Sequence, residues 1–150
     1  MRFEAANVST LTTATANTAL VAIRAPATEL CQIREIGVFL IAATSTRLGL
    51  VRATAVSVTP GTTVAGQNVI PGAPVSASLL VSSWGTVPTI AANYMRRVTL
   101  PAAIGAGVIW SWPADNPLQV GAGTAIAELC LANLVAVAPS LFDYYVTWED

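Results

Sequence analysis

Histidine and lysine are both absent from this chain of 150 residues. Without histidine the chain lacks the side chain that titrates near neutral pH and most often serves as general base, triad partner or metal ligand. Without lysine every basic charge sits on arginine: Arg2, Arg24, Arg34, Arg47, Arg52, Arg96 and Arg97. Charge of both signs is scarce, 10% of residues against about 25% in an average soluble domain. The formal net charge is −1. That balance gives no basic field for a phosphate backbone, so no nucleic-acid partner is expected. Cysteine occurs twice, at Cys31 and Cys130, too few and too far apart for a Cys-x-x-Cys pair or a zinc site. The two read either as buried reduced thiols or, if their strands are neighbours, as a disulfide. A Gly-x-Ser-x-Gly elbow and a Walker-type loop are missing, and Gly121-Ala122-Gly123 reads as a turn. No catalytic residue, metal or cofactor is expected, and no enzyme.

A long apolar run is missing too. The best window, Val120 to Ala138, carries Glu128 near its centre. A central carboxylate costs roughly 2.5–3.5 kcal/mol on insertion scales, so no membrane span is expected. The opening Met1-Arg2-Phe3-Glu4 has no charged region leading into an apolar core, which predicts no signal peptide and folding in a reducing cytoplasm.

Hydrophobic residues are abundant, at 54%. A nearly neutral, apolar chain associates readily, so copies of itself are the first expected partner.

The apolar residues recur with a period of two. Phe142, Tyr144, Val146 and Trp148 alternate with Asp143, Tyr145, Thr147 and Glu149. Val108, Trp110 and Trp112 repeat the pattern, and Gly and Pro break the chain at regular intervals. The fold class is all-β: one domain over 1–150, a β-sandwich or jelly-roll of about eight or nine strands. The expected spans are 2–9, 18–25, 30–42, 47–58, 76–83, 94–100, 107–112, 124–136 and 141–149. Met1 to about Ala19 reads as an arm or edge strand. Thr89 to Tyr94 reads as a short helix, and Thr124 to Val137 fits a strand or a buried helix equally. In a regular strand Arg34 and Glu35 point to opposite faces.

Candidate chemistry reduces to carboxylates and aromatics. Glu35 and Glu128 lie in apolar segments; facing one another they would resemble a glycosidase pair, and otherwise each answers an arginine such as Arg34, Arg96 or Arg97. Trp84, Trp110, Trp112 and Trp148, with Tyr144 and Tyr145, read either as a sugar platform or as core and interface anchors. The interface candidates are Arg2, Phe3, Arg96, Arg97, Tyr145 and Trp148, with Arg96 and Arg97 split between opposite faces of a strand.

Several segments carry a resemblance. They are Ile33 to Phe39, Arg47 to Arg52, Thr59 to Thr62, Arg96 to Trp110, Gly121 to Thr124 and Tyr144 to Asp150. In their order and spacing they resemble small bacteriophage virion proteins of the head-decoration, or cement, type. The resemblance implies a β-sandwich or jelly-roll, a homotrimer, the major capsid protein as partner, and a place on the capsid surface of the virion. It brings no catalytic residues. The Pro-rich stretch from Ile70 to Val87 departs from it. A carbohydrate- or receptor-binding β module of a phage tail or baseplate is the alternative.

Overall fold

The computed structural model describes residues 1–56, 59–121 and 126–150. Among them lie thirteen strands and no helix. The first four strands are long: β1 (Arg2–Val8), β2 (Thr18–Ala25), β3 (Leu30–Leu40) and β4 (Thr46–Ala55). Four short ones follow: β5 (Thr63–Ala65), β6 (Gln67–Asn68), β7 (Leu79–Val81) and β8 (Thr89–Ile90). Then come β9 (Arg96–Leu100), β10 (Gly107–Ser111), β11 (Leu118–Gly121), β12 (Ala127–Asn133) and β13 (Phe142–Glu149).

The strands form two antiparallel sheets. The front sheet runs β10-β3-β13-β1-β6, with β11 also on β3; the back sheet runs β5-β7-β2-β12-β4-β8, with β9 also on β4. Between them lies the main core, built from one face of each long strand. Phe142, Tyr144, Val146 and Trp148 of β13 meet Val21 and Ile23 of β2 and Leu129 and Leu131 of β12 there. The period of two therefore does what it implies, placing alternate residues inward. A second, smaller cluster sits on the outside of the back sheet. Ala19, Ala22, Val51, Cys130 and Ala132 leave it shallow, and Trp84, Ile90 and Tyr94 cover it.

All nine expected strands are present in part or whole. The four additional ones, β5, β6, β8 and β11, have two to four residues each, too few for a period to register. No helix forms over 89–94, where β8 pairs with β4, and the ambiguous 124–137 stretch contains a strand, β12. The expected strand ends at 57–58 and 124–125, and the centre of the Gly121–Gly123 turn, lie outside the described residues. β1 is not a free arm, because it pairs with β13 on one side and β6 on the other. The following coil is pinned: Asn133 Nδ2 donates to the carbonyls of Thr13 and Thr15, and the amide of Phe142 donates to Ser9 Oγ.

The two lateral sides of the sandwich differ. On one side the chain passes from β5 in the back sheet to β6 in the front sheet through buried Gly66. Trp148 packs so closely on Gly66 that a Cβ there would overlap its ring. On the other side β9 and β10 each have, among the described residues, a strand neighbour on one flank only.

Candidate functional site

The charges of this chain are few enough to place one by one. Among the described residues three arginines, Arg2, Arg24 and Arg34, are in ion pairs. Arg24 and Glu128 face each other across β2 and β12 on the outside of the back sheet, 3.3 Å apart and buried, and Trp84 Nε1 also donates to Glu128. Glu35 is on the outside of the front sheet, so the two glutamates lie on opposite sides of the molecule and form no carboxylate pair. Glu128 is answered by Arg24, not by Arg34, Arg96 or Arg97.

The outer face of the front sheet has a defined register. Across β10, β3, β13 and β1, one row reads Ile109, Gly37, Tyr145 and Ala6; the next reads Ser111, Glu35, Thr147 and Glu4. A third row reads Gly107, Phe39, Asp143 and Val8. The Tyr145 ring lies flat over Gly37, where any Cβ would overlap it, and Phe39 covers Gly107 in the same way. Aromatics that cover cross-strand glycines restore packing that the glycines forfeit. The Tyr145 hydroxyl donates to Glu35 Oε1 at 2.6 Å. That bond to a carboxylate, with some burial, pushes the tyrosine pKa up to about 12.

Arg34 and Glu35 do not point to opposite faces. The β3–β13 register slips between Thr147 and Trp148, which face Glu35 and Ile33, so Arg34 is the extra residue of a bulge. Ile33 and Ile36 both stay in the core, and the two charges between them are turned outward. Arg34 Nη2 then meets Glu149 Oε2 at 2.6 Å, while Nη1 donates to the Pro113 carbonyl at 3.2 Å. This guanidinium holds the Glu149 carboxyl below its usual range. Arg2 and Glu4 make an exposed pair at 2.9 Å. Two adjoining grooves cross this face. One of about 520 Å³ is lined by Arg2, Glu4, Gln67 and Tyr145 among others, and one of about 350 Å³ by Arg34, Ser111, Trp112 and Glu149.

The remaining four arginines are elsewhere. Arg47, Arg52, Arg96 and Arg97 all lie on β4 and β9, and all are exposed. Register sets Arg97 opposite Gly49 and Arg96 opposite Leu50, so the pair leaves β9 on opposite faces as expected, yet both reach solvent. Arg97 stacks over Tyr94 at 5.7 Å, and Arg52 donates to the Gln119 carbonyl at 2.8 Å.

The six interface candidates thus fall in three places. Arg2 and Tyr145 share the front-sheet groove, and Arg96 and Arg97 mark the opposite sheet's edge. Phe3 and Trp148 are corrections: they are 4% and 0% exposed, stacked on each other with ring centres 6.1 Å apart inside the protomer. The inward face of β1 and β13 claims them, so they anchor the core and offer no surface. Trp84, Trp110 and Trp112 are half-buried. Asp143, Arg47 and Arg52 were missed as surface residues; a tally of charge by strand points to the two arginines, since no acid occurs on β4 or β9.

Cys31 lies in the main core and Cys130 in the outer cluster of the back sheet. Both are free, and burial pushes both thiols well above their ordinary pKa. Among the described residues no group of three or more His, Cys, Asp or Glu is placed to hold a metal ion. No family model, curated protein or solved structure matches this chain.

Proposed function

We propose that this chain is a structural virion protein, a trimeric decoration or cement protein that binds the major capsid protein and stabilises a phage head shell from outside. The chain is made in the host cytoplasm and acts by contact, with no chemistry of its own. The observation that carries this reading is the surface. It has very little charge, arginine as its one basic side chain, and exposed apolar residues on the unpaired side, Ile109 at 54% and Ile104 at 74%. Such a surface loses little side-chain entropy when covered and meets no net repulsion from its own copies. Repeating one modest contact around a symmetric assembly multiplies its strength through effective concentration. The resemblance of Arg96 to Trp110 and of Tyr144 to Asp150 to cement proteins supports the same role. A glycan-binding module has less support, because Trp148 is in the core and the other three tryptophans are half-buried.

The test is co-sedimentation with mature heads assembled from the major capsid protein encoded in the same genome as this chain. Saturable binding and a higher melting temperature of the loaded shell are expected. Chain that stays in the supernatant, or a genome with no capsid gene nearby, overturns the reading.

A further inference from the structure

The charges outside ion pairs are divided by sheet. Once the three ion pairs are set aside, every remaining arginine, namely Arg47, Arg52, Arg96 and Arg97, is on β4 and β9 of the back sheet. Every remaining acid belongs to the front sheet or the chain leading into or out of its strands. Glu35 is on β3, Asp143 on β13, Glu29 just before β3, Asp150 just after β13, and Asp115 between β10 and β11. A net charge of −1 therefore conceals four arginines on the strands of one sheet and two acids on the strands of the other, Glu35 and Asp143, with Glu29, Asp115 and Asp150 in the chain beside those strands. Nothing in folding the protomer requires this separation, since the charges concerned are mostly exposed and a mixed arrangement would cost the chain less self-repulsion on each sheet.

We propose that the protomers assemble head to tail, the arginine edge of β4 and β9 in one copy docking on the acidic outer face of the front sheet in the next. The occupant of that face is a second copy of this chain. Charge complementarity is the argument: the arginine edge finds no free acid on its own strands, and the acidic face is displayed on another surface of every copy. Because the two surfaces differ, each protomer can use both at once, and a contact between unlike patches closes into a ring when its rotation permits. Arginine suits the contact, since its planar fork meets a carboxylate with two parallel hydrogen bonds. Ile109 and Val8, both exposed on the front face, give it apolar area between the charges. The inference deepens the self-association in the function proposed above and rests on it; it names which surfaces meet.

Sedimentation velocity on the full chain tests this, at low and high sodium chloride. The wild type should form a discrete oligomer that dissociates as salt rises. Arg96→Glu with Arg97→Glu should weaken association at least about tenfold, and Asp143→Arg should do the same, since like charges in contact cost several kcal/mol. All three residues are exposed, so unchanged circular dichroism and melting should accompany the loss. Combining the three substitutions in one chain exchanges charge at these positions alone, with Arg47, Arg52 and Glu35 unchanged, and should restore part of the association where positions 96 and 97 of one copy meet position 143 of the next. A monomeric wild type at low salt, an oligomer indifferent to either reversal, or a combined variant no better than its parents overturns the proposal. Pelleting with heads is scored separately: a chain that binds shells but sediments as a monomer refutes head-to-tail assembly alone, and one that assembles but ignores shells refutes the cement role alone.

Discussion

The two lateral sides of this sandwich solve the same problem in opposite ways. Every sheet ends in strands with unpaired backbone groups, and those groups invite other chains. On the closed side, β5 and β6 are one continuous stretch that turns through Gly66 from one sheet to the other, over the Trp148 ring. Backbone bonds seal the turn: Ser76 N donates to the Gly66 carbonyl and Val69 N to the Arg2 carbonyl. On the open side β9 carries Arg96 and Arg97, the sort of charge that keeps an edge soluble, but β10 reads Gly-Val-Ile-Trp-Ser with no charge and no proline. The lesson is that backbone closure is assigned by side: the aromatic rings of the termini seal one corner, while exposed apolar residues occur on both, Val69 and Ile70 after β6 and Ile104 and Ile109 around β10.

The largest expected effect probes the closed side. Trp148 is fully buried, stacks on Phe3, covers Gly66, and donates from Nε1 to Ser76 Oγ at 3.1 Å. Ser76 Oγ is also hydrogen-bonded to the Asp150 carboxylate, so the tryptophan ties together the corner, the loop after β6 and the chain end. Trp148→Ala should lower the free energy of unfolding by about 3–5 kcal/mol, read from urea denaturation. A loss below about 1 kcal/mol would mean that this side is not sealed by its core and would remove the contrast.

Gly66→Ala is next. A methyl group there meets the Trp148 ring and approaches Phe3 Cβ at 3.2 Å, so either the ring or the corner must move. Overpacking of this kind should cost about 1–3 kcal/mol in the same measurement. The pair of variants also sharpens the account, because neighbours that share a clash are not additive. In a Trp148→Ala background the alanine at 66 should cost much less, since the clashing ring is gone.

The sequence made the long strands legible because their alternation is strong and their burial one-sided. It also showed that the chain has neither histidine nor lysine. What it concealed followed from contacts distant in sequence. Arg34 and Glu35 look like ordinary neighbours on opposite faces, and only pairing with β13 reveals a bulge that turns both outward. Phe3 and Trp148 looked like interface anchors because they sit near the termini. Their register partner relation across β1 and β13 instead points both rings inward, where they stack. Glu35 and Glu128 could be set face to face on paper because sequence does not say which sheet a strand joins. The short strands β5, β6 and β8 exist because longer ones recruit them, so no local pattern announces them. As for the charged surfaces, each arginine was visible, but their segregation by sheet depends on the strand order.

The smallest expected change in stability comes from the open side, and it is the one that decides whether that side is open. Ile109 is 54% exposed on β10, whose second flank has no strand partner among the described residues. Lysine at an edge is a common device against unwanted pairing. Ile109→Lys removes no core contact, so the urea midpoint should shift by no more than about 0.5 kcal/mol in free energy. Association should nevertheless fall, because an ammonium group would replace apolar area beside the Gly37–Tyr145 row that a copy docked as proposed would cover. The two readouts pull apart only if the face is free in the protomer and covered in the assembly. If unfolding free energy dropped by 2 kcal/mol or more, on the scale of about 1.5–3 kcal/mol for burying a large apolar side chain, Ile109 would be part of the protomer's own core. The two sides of the sandwich would then differ in geometry but not in purpose.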